Sequence, residues 1–315
     1  MRLLSSLSIL AAGLALAAPR VGGAQAAHRE ILRGKLERDF RQISETFSGV
    51  MGIQFVDLTD GTRVGVNEQL VFPQGSAIKV PILIELFRQA EARPELLRQR
   101  QRVTAASRTA GSGVMGQFAD GSSELSNEDL AVLMVVLSDN TATNLLIDAV
   151  GMESVTRTMA ALGFPQTRLR RRMIRPEASA RGEENVSTPR EAADIMVRLA
   201  RCDLPVSRAA CGRIRQILEI PKSDAAHAAV PGDVAVASKP GSIEGVATVW
   251  AIVAVPDRPF VITAMTNYGG GDGDDAITRA TRAAYEYATR LARSTPNGAR
   301  VPLDVIEAER RRAKP

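Results

Sequence analysis

Three short groups of residues in this 315-residue chain carry side chains that can make and break an acyl bond. Ser76-Ala77-Ile78-Lys79 sets a hydroxyl and an amine three residues apart, so on a helix both share one face within hydrogen-bond reach. Ser138-Asp139-Asn140 adds a second hydroxyl, and Lys239-Pro240-Gly241-Ser242 adds a second amine. S-x-x-K alone is a weak signal. The three together, in this order and each on a suitable element, make coincidence a poor explanation.

A lysine acts as a base only when neutral. From a reference pKa near 10.4, neutrality at pH 7 requires a shift of roughly 3 units, or about 4 kcal/mol. Burial and a second cation shift a lysine that far, and Lys239 is the obvious second cation. A helix start at Ser76 would bring free N–H groups and the positive end of the dipole to a developing oxyanion. Ser138 is placed to relay a proton to a leaving nitrogen, Asn140 to hold a substrate amide, and Lys239 to bind a substrate carboxylate.

Composition narrows the chemistry. The chain has two His (His28, His227) and two Cys (Cys202, Cys211), too few for a zinc ribbon or a His-rich metal centre. His28 also falls beside a processed N-terminus, which argues against a Ser-His-Asp triad and leaves lysine as the activating base. No metal or other cofactor is expected.

Two motifs are decoys. Gly111-Ser112-Gly113-Val114-Met115-Gly116 fits G-x-G-x-x-G, but a polar stretch precedes it and a helical block follows, so a loop near the cleft is expected. Gly269 to Asp275 lacks the ordered ligand spacing of a calcium loop, and Asp274 or Asp275 capping the last helix explains it.

The elements that must hold these groups follow from periodicity. Residues 28–47 have helical apolar spacing, and Val50 to Leu58, Asp60-Gly61 and Val64 to Leu70 read as a hairpin. From Ser76 to Leu218 the pattern is helical, with a capping-box form at Ser126 to Asp129 and Pro81 expected to weaken or kink the helix after Ser76. Strands return at Val234 to Ser238, Val246 to Val255 and Phe260 to Met265, and a helix from Ala276 to Leu291 closes the fold. A helical block therefore interrupts a β unit built from both chain ends, with a cleft between the two lobes.

Residues 1–26 read as a secretory leader: Arg2, an apolar run from Leu3 to Ala18, and a small-x-small site at Ala24-Gln25-Ala26. That run is shorter than the roughly 18–20 residues that span a bilayer, so an exported monomer without stable membrane insertion is expected. In an oxidising compartment Cys202 and Cys211, nine apart, either form a disulfide or remain two buried thiols; geometry decides. The formal charge is +5, with arginines clustered at 168–175 and 310–312. No aromatic residues interleave them, which points to a solvated face and no nucleic-acid partner.

At this point the chain resembles the class A β-lactamases and their penicillin-recognising serine-hydrolase relatives. The resemblance runs from the VGVNE-x-x-x-F-P-x-x-S-x-x-K stretch through LSDNTATNLLI to the last helix. It implies an α/β (α+β) fold, with a three-layer αβα lobe on an antiparallel sheet (about 27–72 and 219–293), an all-α lobe (about 73–218) and a basic tail (294–315). It further implies that Ser76 is acylated by a β-lactam or peptidoglycan-like substrate, assisted by Lys79 and Ser138. Asn140, Lys239, Gly241 and Ser242 would bind that substrate, and the N–H groups of Ser76 and Ser242 would form the oxyanion hole. Pro240 replaces the usual hydroxyl residue, and Met173 falls where the family's deacylating glutamate is expected. Glu177 is the best substitute, with Glu183 and Glu184 behind it; the competing reading is that all three brace the loop against its arginines. The activity implied is β-lactam hydrolysis, with a DD-peptidase, an esterase-like hydrolase or a non-turnover penicillin-binding module as alternatives.

Overall fold

The computed structural model describes residues 21–295 and 297–313. Most of the expected leader, residues 1–20, lies outside them, and its small-x-small end falls inside the first helix. That helix, α1 (Val21–Thr46), leads to the hairpin β1 (Val50–Asp57) and β2 (Arg63–Val66), then to the two-residue β3 (Phe72–Pro73). A 3₁₀ turn, Gly75–Ile78, runs into α2 (Lys79–Ala92). There follow α3 (Glu95–Arg98), the hairpin β4 (Arg100–Val103) and β5 (Ser123–Ser126), α4 (Asn127–Val136), α5 (Asn140–Val150) and α6 (Met152–Ala161). A long loop carries α7 (Pro176–Ala180) and β6 (Val186–Ser187), before α8 (Pro189–Arg201), α9 (Arg208–Glu219) and α10 (Ala225–Ala228). The chain ends with β7 (Val236–Ile243), β8 (Val246–Val253), β9 (Phe260–Asn267), α11 (Gly273–Ala292) and α12 (Leu303–Ala313).

The main sheet is antiparallel in the order β2-β1-β9-β8-β7, so strands from both chain ends interleave. Alternating side chains of β1, Met51, Ile53 and Phe55, bury against Phe40 of α1 and Ala280, Ala284 and Tyr287 of α11. On the opposite face, α8 packs across β1, β8 and β9 and joins the sheet to the helical core around Leu83, Met134 and Ile195. These are the three layers and the all-α body that the resemblance implies.

Local chemistry sets the helix starts. The Ser126–Asp129 capping box opens α4, and Asp139 caps α5 by accepting from the Ala142 N–H. Thr188 caps α8, with Pro189 in its first turn. Pro81 behaves differently from expectation. Because α2 begins at Lys79, Pro81 sits in the first turn, where N–H groups have no acceptor within the helix, and no bond is lost. The last helix is capped by neither expected aspartate: Asp272 occupies the cap, while Asp274 and Asp275 lie in the first turn. The exposed, largely polar β4–β5 hairpin interrupts the block expected to be helical throughout. Cys202 and Cys211 are joined in a disulfide, their Cα atoms 5.7 Å apart.

Candidate active site

Ser76 stands in the 3₁₀ turn ahead of α2, and the segment before it is held from below. Gln74 Oε1 accepts from Trp250 Nε1 at 2.9 Å, and the Gln74 carbonyl accepts from Thr248 Oγ at 2.9 Å. Both donors lie on β8, so the nucleophile's turn is fastened to the sheet interior. The adjacent strand β7 comes unusually close: a Cβ on Gly241 would sit 2.3 Å from Gln74 O and 2.7 Å from Ser76 N. A Cβ on Gly75, where φ is +49°, would fall 2.9 Å from Ser242 N. Glycine at both positions lets the backbones of Ser76 and Ser242 face each other. Pro240 is tolerated because β7 is the sheet's edge strand.

Lys79 is fully buried, and its Nζ lies 3.0 Å from Ser76 Oγ, 3.1 Å from Ser138 Oγ, 2.7 Å from the Ser138 carbonyl and 3.1 Å from Asn140 Oδ1. Burial lowers its pKa well below the ordinary lysine value; the nearby Lys239 ammonium lowers it further, and Asp139 opposes them. A neutral amine in this position has a lone pair for the Ser76 proton. Ser138 occupies the connection between α4 and α5 in a left-handed conformation, φ +53°, which few non-glycine residues adopt. Its Oγ accepts from Lys239 Nζ at 3.1 Å, so one hydroxyl joins both lysines. Lys239 is brought down to about 7, chiefly by burial and then by the Lys222 cation, against the pull of Asp224.

The middle residue of Ser138-Asp139-Asn140 is a structural tie. Asp139 Oδ2 accepts from the N–H groups of Val114 and Met115 at 2.7 and 2.8 Å, anchoring the glycine-rich loop beside the cleft. Gly113 is required there, with φ +105° and a Cβ that would collide with Asp139 Oδ2 at 2.1 Å. Asn140 Nδ2 donates to the Ala110 carbonyl at 3.0 Å, which fixes the amide at the cleft wall.

The structure brings Ser76, Lys79, Ser138, Asn140, Lys239, Gly241 and Ser242 into one constellation, and Glu177 is not among the residues that line the cleft. The Glu177 side chain is 61% exposed on α7 and pairs with Arg175 at 3.9 Å, while its neighbours Arg175, Pro176 and Ser179 line the cleft. Glu183 pairs with Arg181, and Glu184 with Arg171 at 2.7 Å. Each of the three acids thus has an arginine partner, as the bracing reading expects. Met173 lines the cleft together with Ile174, Ser179 and Asn185, and none of the residues lining it is a carboxylate.

Sequence reasoning missed the residues that hold this loop. Asn144, one turn beyond Asn140 on α5, binds both backbone groups of Met173. Asn185 Oδ1 accepts from the N–H groups of Arg170 and Arg171 at 2.8 and 3.0 Å. The i, i+4 spacing of the two asparagines on α5 was the one available signal. Among the described residues, no group of three or more His, Cys, Asp or Glu is arranged to hold a metal ion, and no helix is long and apolar enough to cross a membrane.

Comparison with known proteins gives a consistent picture. The model of a family described as the "Beta-lactamase enzyme family" matches residues 35–288. Beta-lactamase L2 of Stenotrophomonas maltophilia is 29% identical over 165 residues, 51% of this chain; the match spans about half of that relative, 53% of its length. Among solved structures, a β-lactamase from Sphaerobacter thermophilus superposes with a TM-score of 0.73 at 29% identity, covering 81% of this chain and 97% of the other. A class A β-lactamase from Mycobacterium abscessus gives a TM-score of 0.73 at 25% identity, covering 80% of this chain and 98% of the other.

Proposed function

The chain belongs to the β-lactamase enzyme family, and on that premise we propose that it is an exported serine hydrolase that opens β-lactam rings through an acyl-enzyme on Ser76. One observation carries the reading: two buried lysines share the Ser138 hydroxyl, and one of them lies 3.0 Å from Ser76 Oγ. Neutral Lys79 takes the Ser76 proton as Oγ attacks the lactam carbonyl carbon, and the oxyanion forms against the N–H groups of Ser76 and Ser242. When the tetrahedral intermediate collapses, the C–N bond breaks and the leaving nitrogen takes a proton through Ser138 Oγ. Lys239 holds the substrate carboxylate, whose negative charge favours the ammonium form of that lysine. Water then cleaves the ester and frees Ser76. Export rests on the leader-like pattern of residues 1–26.

A second reading is favoured by the cleft's lack of a carboxylate. Without a general base for water, acylation would outrun release, as suits a peptidoglycan DD-peptidase or an acyl-holding penicillin-binding module. The test is to mix the protein with a chromogenic cephalosporin and a penicillin, following turnover and intact mass together. Turnover that is lost in Ser76→Ala supports the hydrolase. A stable adduct on Ser76 without turnover supports the second reading, and neither turnover nor adduct with either compound refutes both.

A further inference from the structure

A cavity of about 390 Å³ lies between the start of α1 and the chain that follows α11, at the far ends of the molecule's sequence. Every residue lining it falls before residue 35 or after residue 288, outside the stretch that matches the family. It lies at the edge of that stretch, on the outer parts of α1 and α11 and the chain beyond, and it shares no residue with the cleft around Ser76. Its size is within the roughly 300–1,000 Å³ of small-ligand sites.

The lining is amphipathic. Leu32 and Leu291 pack at the margin of the core and form an apolar wall, and Ile31, 58% exposed, stands at the mouth without a covering partner. Arg29 from α1 and Arg290 from α11 bring two guanidinium groups to the same cavity, with His28 beside them. Neither arginine has a carboxylate partner among the described residues. On α1 the acids nearest Arg29 are already engaged, since Glu30 and Glu37 both pair with Arg33. Two unneutralised planar cations beside an aliphatic wall suit a ligand with an anionic head and a hydrocarbon chain.

We propose that this cavity binds an amphiphilic anion, its carboxylate or phosphate head on Arg29 and Arg290 and its aliphatic chain along Leu32 and Leu291. Titration calorimetry with dodecanoate, dodecanol and acetate tests both halves of the ligand. Dodecanoate should bind saturably at one per chain and at least tenfold more tightly than the other two. Charge reversal by Arg29→Glu with Arg290→Glu should weaken it at least tenfold, and Ile31→Asp should weaken it independently. These side chains are exposed and remote from Ser76, so unchanged melting temperature and acylation rate would show that the variants are folded. Cosedimentation with phosphatidylglycerol and phosphatidylcholine vesicles separates the sources. Capture by the anionic vesicles alone, lost in the charge-reversal variant, identifies a bilayer lipid; binding of dodecanoate alone identifies a free amphiphile. Equal affinity for dodecanol and dodecanoate, no saturable binding, or indifference to charge reversal would overturn the proposal.

Discussion

Asn144 grips the backbone of Met173 from both sides: its Oδ1 accepts from the Met173 N–H at 2.8 Å, and its Nδ2 donates to the Met173 carbonyl at 3.3 Å. The loop is thereby fixed with an apolar, buried side chain lining the cleft at the place where the family pattern puts a carboxylate. Met173→Glu should therefore supply the missing base without moving the backbone. General-base catalysis contributes about 10²–10⁴ in rate, so release of a penicilloyl group from Ser76 should accelerate by up to that factor while acylation changes little. Intact-mass decay of the adduct measures it; an unchanged lifetime would mean that water cannot reach position 173.

Glu177→Gln should leave both acylation and release as they are. Its carboxylate is exposed and pairs with Arg175, where a surface pair contributes roughly 0–1 kcal/mol to stability. A trapped acyl-enzyme in this variant, seen by mass, would return Glu177 to the reaction and contradict the placement of α7.

The pH dependence should be governed from outside the cleft. Lys239 is brought down to about 7, with the Lys222 cation contributing, and Lys222 is itself lowered to about 8 by burial. Binding of a substrate carboxylate needs charged Lys239, so kcat/KM for acylation should decline as pH rises through about 7. On the acid side it should decline as Lys79 gains a proton, since only the neutral amine accepts from Ser76. Lys222→Gln removes one cation, raises the Lys239 pKa and should move the alkaline limb to higher pH while leaving the acid limb in place. A profile that stays fixed would show that Lys222 and Lys239 are not coupled.

How much of this was legible in the sequence depends on the range of the interaction. Ser76–Lys79 is a three-residue contact, and the Ser126 and Asp139 caps are read from neighbours, so local chemistry announced them. The sheet pattern was legible because β1, β8 and β9 bury nearly every position. The setting of Glu177 was not legible because residue type and spacing do not tell which way a loop turns; that is decided by Asn144, Asn185 and the Arg171–Glu184 pair, contacts reaching 13 to 29 residues along the chain. The hold of Trp250 on Gln74 spans 176 residues and left no local trace.

Gly241→Ala should disable the site with little loss of fold. The added methyl would lie 2.3 Å from Gln74 O, so either β7 or the Ser76 turn must move. The Trp250 and Thr248 bonds resist movement of the turn, leaving edge strand β7 to retreat and draw Ser242 N away from Ser76. Loss of one oxyanion donor costs about 10²–10³ in rate, against roughly 1–3 kcal/mol of stability for overpacking. Stopped-flow acylation and a thermal melt on the same sample separate the two effects; a folded variant that acylates at the normal rate would deny the close approach a catalytic role.

The Cys202–Cys211 disulfide closes a short loop between α8 and α9, with Cys202 in a left-handed conformation, φ +51°, at the end of α8. A loop of this length constrains the unfolded chain by about 2–3 kcal/mol in the entropic model. Cys211 is completely buried in the helical core beneath Ile214 and Leu199, and neither cysteine lines the cleft. Reduction, or paired replacement by Ala and Val, should therefore lower the melting temperature by several degrees and leave the acylation rate of the folded protein unchanged. Acylation that fell in parallel at temperatures well below the melt would show that the α8–α9 junction transmits to the cleft, through α8 and the loop it anchors at Thr188.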